Sequence, residues 1–173
     1  MTGGVIRKAR LEDVARLRDI ETAAGEAFRA LGMHAIADDD PPSVQEVSRY
    51  VAAGTCWVST AAEQQPVAYI LVDQVDSNAH IAQVTVHPLY ARHGIGSALI
   101  DEVASWAAPQ GFEALTLTTF RDVPWNRPYY ERLGFTVVPE RLWAAGIRRL
   151  VLAEAADGLA AWPRVVMRRA LGE

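Results

Sequence analysis

Residues 84–99 read VTVHPLYARHGIGSAL. A β-type run passes at once into a glycine turn and then into an apolar pattern at helical spacing, carried by Ala98, Leu99, Val103 and Trp106. A helix that begins directly after a strand offers unpaired backbone N–H groups, and glycines remove the Cβ atoms that would hold a phosphate away. The stretch predicts a strand, turn and helix that suit a pyrophosphate, with tight packing as the alternative explanation of a lone Gly-x-Gly.

The composition of the 173 residues is that of a globular protein, since 50% are hydrophobic and 22% are charged. This length predicts one domain over residues 1–173. The net charge of −4 and the pI of about 5.6 leave no basic field to attract nucleic acid or an anionic membrane, so neither is an expected partner.

The location suggested by the sequence is the cytoplasm. Residues 1–10 lack the apolar run of a signal peptide, and no stretch reaches the roughly 18 apolar residues of a membrane span. The single Cys56 cannot form an internal disulfide and lies in a run typical of a buried strand, which fits a reducing compartment.

The residues before the glycine turn predict a strand, two helices and three further strands. Val5–Ala9 is a short strand, and apolar residues from Val14 to Leu31 recur at spacings of three and four, which indicates an amphipathic helix. Ser43 and Glu46 form a capping-box pattern that opens a second helix. The next β-type runs, separated by polar turns, predict antiparallel hairpins over residues 55–60, 67–73 and 81–86.

The residues after the helix of the glycine turn predict two strand–helix pairs and a last strand. Residues 114–120 form a β-type run, and a helix over 126–133 ends at Gly134, where glycine can adopt the left-handed cap. Strand resumes over 135–138, a helix occupies 144–159, and residues 164–169 form the last strand.

The glycine turn resembles the acetyl-CoA motif of the GNAT acetyltransferases, in which a strand ending in Val-x-Pro precedes an Arg/Gln-x-x-Gly-x-Gly/Ala loop. Ala91 departs from the motif at its first position, but binding through backbone amides does not need that side chain. The Walker and Rossmann patterns fit less well, because no Gly-Lys-Ser/Thr follows and no early βαβ unit surrounds the turn. The resemblance implies that acetyl-CoA is the cosubstrate and that the following residues contact it: Val84, Thr85, Val86, Arg92, His93, Gly94, Ile95, Gly96 and Ser97. For Arg92 and His93 the alternative is that both are solvated turn residues.

A second stretch, VPWNRPYYERLGF at residues 123–135, resembles the family's helix that carries a tyrosine and ends in Gly-Phe. By this resemblance Tyr130 lies beside the CoA sulfur and is the candidate general acid, since a phenol can protonate the departing thiolate. The neighbouring Tyr129 points about 100° away on a helix and is the fallback. Asn126 is either a CoA contact or an ordinary helix cap.

The general base is not evident from the sequence. Gln83 stands where many relatives have a glutamate, and an amide cannot accept a proton at neutral pH. A water chain is one alternative, and the substitute side chains are Glu21, His34, Asp38, Asp39, Asp40 and His80. The three consecutive aspartates either attract a cationic amine or form a solvated turn.

The fold class implied by the resemblance is α/β, with a mixed, mostly antiparallel sheet of six or seven strands flanked by helices and opened between its central strands to admit CoA. The implied reaction is direct transfer of an acetyl group to a primary amine in a ternary complex. The acceptor is a small molecule or a peptide, a homodimer is possible, and no metal site is predicted. A non-catalytic acyl-CoA-binding or sensor domain is the alternative from another functional class.

Overall fold

The computed structural model describes residues 4–158 and 161–172, in which seven strands alternate with helices. The strands are β1 Val5–Lys8, β2 Cys56–Thr60, β3 Pro66–Val75, β4 Asn78–Val86, β5 Ala114–Phe120, β6 Thr136–Val137 and β7 Arg164–Ala170. The α-helices are α1 Val14–Gly25, α2 His34–Ala37, α3 Val44–Ala53, α4 Ile95–Ala107, α5 Arg127–Arg132 and α6 Ala145–Ala156. None of these helices has the length and apolar content needed to cross a membrane.

The strands form one sheet in the order β1-β2-β3-β4-β5-β7-β6. The pairs β1/β2, β2/β3, β5/β7 and β6/β7 are antiparallel, whereas β4 and β5 are parallel. The predicted mixed, mostly antiparallel sheet is therefore confirmed, with seven strands. The chain divides into two compact units, so the single domain remains a prediction.

The first unit comprises the residues up to Val72 together with Gln83–Val103. Its core joins α1 to α3, β2 and β3, and Leu17 and Ile20 are completely buried in it. The predicted cap of α3 is present, because the Ser43 side chain accepts a hydrogen bond from the Glu46 N–H at 3.1 Å. This packing fixes the position of α1 against the strands.

The second unit comprises Asp73–Ala82 and the residues from Ala104 onward. In it β5 pairs with β7 along its whole length, from Ala114↔Ala170 to Phe120↔Arg164. The α5 helix is followed by Gly134 at φ +88°, which confirms the predicted left-handed position. The helix α6 begins against the β3–β4 turn, where Asp76 accepts the backbone N–H groups of Gly146 and Ile147 at 2.9 and 3.2 Å.

Two predicted helices have different limits in the structure. The α-helix expected over residues 14–31 ends at Gly25 and continues as a 3-10 helix over Glu26–Leu31. Its completely buried residues end at Ile20, and Leu31 is exposed, so the later turns have little packing to hold the α-helical form. The short α2 lies between the two helices that the sequence predicts, where no helix was expected, and Leu159, the expected end of the last helix, is outside the described residues.

Candidate functional site

The turn after β4 leads through a 3-10 helix, Pro88–Tyr90, and an exposed loop into the 13-residue α4. The first hydrogen bond of α4 runs from the Ala98 N–H to the Gly94 carbonyl at 3.0 Å. The N–H groups of Ile95, Gly96 and Ser97 come before this first hydrogen bond, so the helix itself offers them no carbonyl acceptor. They form the donor set that the sequence predicts for a phosphate.

Backbone conformation explains the first glycine of the loop. Gly94 has a φ of +75°, in the left-handed region, and a Cβ placed there would meet nothing within 4 Å. Arg92 also has a positive φ, +63°, and its side chain and that of His93 are exposed, with His93 Nδ1 3.1 Å from the Tyr90 carbonyl. The loop thus leaves open space in front of its backbone amides.

The strand β4 pairs in parallel with β5 at Ala79↔Leu115 and His80↔Thr116. Three of the predicted acetyl-CoA contacts, Val84 to Val86, are the last residues of β4 and belong to the first unit. Thr85 is buried, while Val84 and Val86 are half-buried.

Glu21 contacts three other polar residues in the first unit. Its Oε2 accepts the hydroxyl hydrogen bonds of Tyr69 at 2.6 Å and Thr85 at 2.7 Å, and its Oε1 accepts from the Gln83 amide at 3.0 Å. The Gln83 amide also donates to Thr85 Oγ1 at 2.9 Å. The Glu21 carboxylate on α1 therefore contacts Gln83, the β4 residue that stands in place of the glutamate expected from the resemblance.

His80 has the surroundings of a structural histidine. It is 2% exposed, and its Nδ1 lies 2.9 Å from Thr116 Oγ1. Burial lowers the pKa of His80 to about 4, so the ring is neutral at pH 7. Because its side chain is buried, His80 lacks the exposure that a base acting on an incoming amine needs.

The remaining candidate bases are exposed and lie in α2 and the residues that follow it. Asp38 is paired with Arg29, which also binds Glu26 at 3.1 Å, and Arg29 holds the pKa of Asp38 below its ordinary value. His34 Nδ1 is 3.5 Å from the same guanidinium. Asp39 and Asp40 are exposed. Part of the aspartate charge is thus already neutralised, which favours the solvated-turn interpretation of this segment.

Tyr130 lies on α5 in the second unit and packs among aromatic rings. Its ring centroid is 5.2 Å from that of Tyr129 and 5.8 Å from that of Phe135, in edge-to-face arrangements. Burial raises the pKa of the Tyr130 hydroxyl, so the group is protonated at neutral pH. A protonated phenol can serve as an acid but not as a base.

Two polar residues, one in each unit, have little signal in the sequence. Arg164 lies 3.2 Å from Glu154 and donates to Thr118 Oγ1 at 2.9 Å, which places a half-buried cation in the second unit. Glu21 had a weak signal, since it lies four residues after Leu17 and so on the apolar stripe of α1. A charged residue on such a stripe indicates a polar partner inside the fold.

Asn126 occupies the position before α5, but its side chain makes no capping hydrogen bond. The helix-cap alternative is therefore not realised through its side chain. The role of Asn126 as a CoA contact stays a prediction, as do the roles of the other predicted contacts. Of these residues, Asn126 and Tyr130 belong to the second unit, and those from Val84 to Ser97 belong to the first.

The family can now be assigned. Residues 14–135 match the model of the acetyltransferase (GNAT) family, and this range includes both predicted motifs. The chain therefore belongs to the GNAT family. The prediction of this family is confirmed.

Individual relatives are distant. The chain is 28% identical over 134 residues to a mycothiol acetyltransferase from Sanguibacter keddieii, a match that covers 72% of this chain and 42% of that protein. Among solved structures, Ard1 from Thermoplasma volcanium has a TM-score of 0.72 at 17% identity, over 98% of this chain and 99% of the other. PaiA N-acetyltransferase from Thermoplasma acidophilum, solved in complex with coenzyme A, has a TM-score of 0.70 at 14% identity, with 98% and 99% coverage. At these identities the structures establish a shared fold.

Proposed function

We propose that this protein transfers an acetyl group from acetyl-CoA to a primary amine by direct attack in a ternary complex. The observation that carries the proposal lies in the first unit, where β4 is followed by a loop with Gly94 at φ +75° and by a long helix whose first hydrogen-bonded N–H is that of Ala98. Family membership and the coenzyme A bound to a structural neighbour support the same cosubstrate.

In the proposed complex the two ends of the cosubstrate use different backbone groups. The N–H groups at the start of α4 bind the diphosphate of CoA, with help from the positive end of the helix dipole. An amide in Val84–Val86 donates to the thioester oxygen and stabilises the oxyanion that forms there.

The chemical step exchanges one bond for another. The acceptor ammonium first loses a proton to solvent, the neutral amine nitrogen attacks the thioester carbon to form the new C–N bond, and the C–S bond breaks with its electron pair passing to sulfur. The Tyr130 hydroxyl protonates the thiolate, and the second proton, lost by the attacking nitrogen once the C–N bond has formed, returns through solvent to the Tyr130 phenolate. The products are the N-acetylated amine and free CoA.

The acceptor in this proposal is a primary amine on either a small molecule or a peptide. Structural neighbours have names of both kinds, among them an N-acetylglutamate synthase and a ribosomal-protein-S18-alanine N-acetyltransferase. The cytoplasmic location expected from the sequence remains a prediction.

Replacement of Tyr130 tests the acid step. The Tyr130→Phe variant should lower kcat about 100-fold, because the thiolate then leaves without a proton donor, while the affinity for acetyl-CoA stays within about twofold. Thiol release from acetyl-CoA gives kcat, and calorimetry gives the affinity.

The matched control is Tyr129→Phe, which removes the adjacent hydroxyl from the same helix and should leave kcat nearly unchanged. If Tyr130→Phe turns over at the wild-type rate, Tyr130 has no part in the mechanism. Binding of acetyl-CoA without turnover of any amine would indicate the non-catalytic alternative.

A further inference from the structure

Glu21 is an anionic group set beside the strand that the proposed function assigns to the thioester. We infer that Glu21 binds the ammonium group of the acceptor, so that the protein selects a cationic primary amine. This inference rests on the proposed acetyl transfer and specifies the acceptor side of the same site.

The hydrogen bonds around Glu21 leave part of its carboxylate unused. An ionised carboxylate has about four acceptor positions. Oε2 receives two donors, Tyr69 and Thr85, while Oε1 receives only Gln83. One position on Oε1 remains for another donor, and the side chain is half-buried rather than enclosed, so a ligand can reach it.

The charge of Glu21 also lacks a protein counter-ion. No lysine, arginine or histidine among residues 4–158 and 161–172 forms an ion pair with it. The other internal carboxylate of this unit, Asp13, is by contrast bound by the Arg7 guanidinium at 2.8 Å. An ammonium ligand would give Glu21 the charged partner that the chain does not supply.

The packing around Glu21 holds its carboxylate in a defined place. Ile20, the preceding residue, is completely buried, and Tyr69 is 1% exposed in the same core. Burial and the neighbouring Glu21 raise the pKa of Tyr69, which keeps its hydroxyl a donor. The carboxylate is thus positioned before a ligand arrives, which lowers the entropic cost of binding.

The position of the cluster relates it to the reacting bond. Gln83 and Thr85 are two residues apart on β4, so their side chains share one face of the strand. The backbone of the same segment, Val84 to Val86, is the proposed thioester contact. An amine held at Oε1 therefore lies next to the strand that would carry the acetyl group.

The Glu21→Gln variant tests the inference with a side chain of the same shape and no charge. We expect KM for cationic amines to rise about 10- to 100-fold, the effect of losing a charge-assisted hydrogen bond. The probes are glycinamide, lysine methyl ester and spermidine, and the comparison acceptor is acetyl hydrazide, which is neutral at pH 7. KM for the hydrazide should change less than threefold.

Asp19→Asn is the matched control, because Asp19 is an exposed carboxylate on the same helix and the substitution changes the charge equally. It should leave every KM near the wild-type value. Thermal unfolding and acetyl-CoA binding by calorimetry show whether each variant is folded. If Glu21→Gln does not fold, the double variant Glu21→Gln/Gln83→Glu supplies the test.

The double variant exchanges the carboxylate and the amide across their 3.0 Å contact. If the charge is what binds the amine, this exchange should restore KM for cationic probes to within about threefold of the wild type, below the value of the single variant. A purely structural role for Glu21 predicts no such recovery.

The inference is overturned if KM for the cationic probes is unchanged in Glu21→Gln, if it rises equally for the hydrazide, or if the folded double variant shows no recovery. It is also overturned if the wild type acetylates the hydrazide but none of the cationic probes. Failure of the proposed function is a separate result, because the wild type would then either bind no acetyl-CoA or bind it without acetylating any amine, the hydrazide included.

Discussion

His80 shows how the surroundings of a single residue make folding depend on pH. Burial lowers the pKa of the folded ring to about 4, whereas an unperturbed histidine has a pKa of about 6.5. Between these values the unfolded chain binds a proton that the folded chain does not, so acid favours unfolding. The contribution of His80 to stability is complete above about pH 6.5 and is lost as the pH falls toward 4.

The His80→Asn variant should therefore have a flatter pH dependence of stability. In the wild type we expect His80 to lower the free energy of unfolding by on the order of 3 kcal/mol between pH 7 and pH 4. Urea unfolding at several pH values measures this slope. His34→Asn, which removes an exposed histidine, should keep the wild-type slope, and an equal slope in His80→Asn would contradict the assignment.

The residues of the candidate site differ in how well the sequence predicts them. Gly94 and Tyr130 lie in local motifs, so their places on a loop and a helix are predicted correctly. The meeting of Glu21 with Gln83 joins residues 62 positions apart. Such a contact depends on how α1 packs against the sheet, and local periodicity contains no information on that packing.

At the scale of the elements, α6 depends on an acceptor from a distant turn. Asp76 accepts the N–H groups of Gly146 and Ile147, and a Cβ at Gly146 would lie 2.7 Å from the Asp76 Oδ1. The Asp76→Ala variant should lose about 1 kcal/mol of stability, because two helix N–H groups lose their acceptor. This corresponds to a fall in Tm of about 2–4 °C, measurable by calorimetry.

The control for this cap is Asp76→Asn, which keeps one acceptor oxygen and removes the charge near the helix N-terminus. Its Tm should fall less than that of Asp76→Ala. If both variants unfold at the wild-type temperature, the two hydrogen bonds do not stabilise α6.

Helix ends are predicted well where a single residue caps or ends the helix locally. Ser43 caps α3, and Gly134 follows α5 in the left-handed region. The end of α1 is predicted poorly, because the apolar spacing continues to Leu31 after the fully buried packing has ended at Ile20. Tertiary packing, rather than spacing, decides where that helix stops.

At the scale of the whole molecule, binding of acetyl-CoA should appear as thermal stabilisation. A ligand at about 100 times its Kd stabilises the folded state by about 2.7 kcal/mol. For a chain of this length that corresponds to a rise in Tm of about 5–10 °C. The Tyr130→Phe and Glu21→Gln variants should keep this rise, since neither residue is assigned to the diphosphate.

Gly94→Val should remove most of the ligand-dependent rise, because the added side chain fills the open space before the α4 amides and strains a backbone at φ +75°. Gly111→Val is the matched control: Gly111 also has a positive φ, +84°, with open space around it, but it lies after α4. Both variants should lower the Tm of the free protein through similar backbone strain. Only Gly94→Val should lose the rise in Tm that acetyl-CoA causes. An equal loss in Gly111→Val would mean that backbone strain, rather than a blocked phosphate site, accounts for the result.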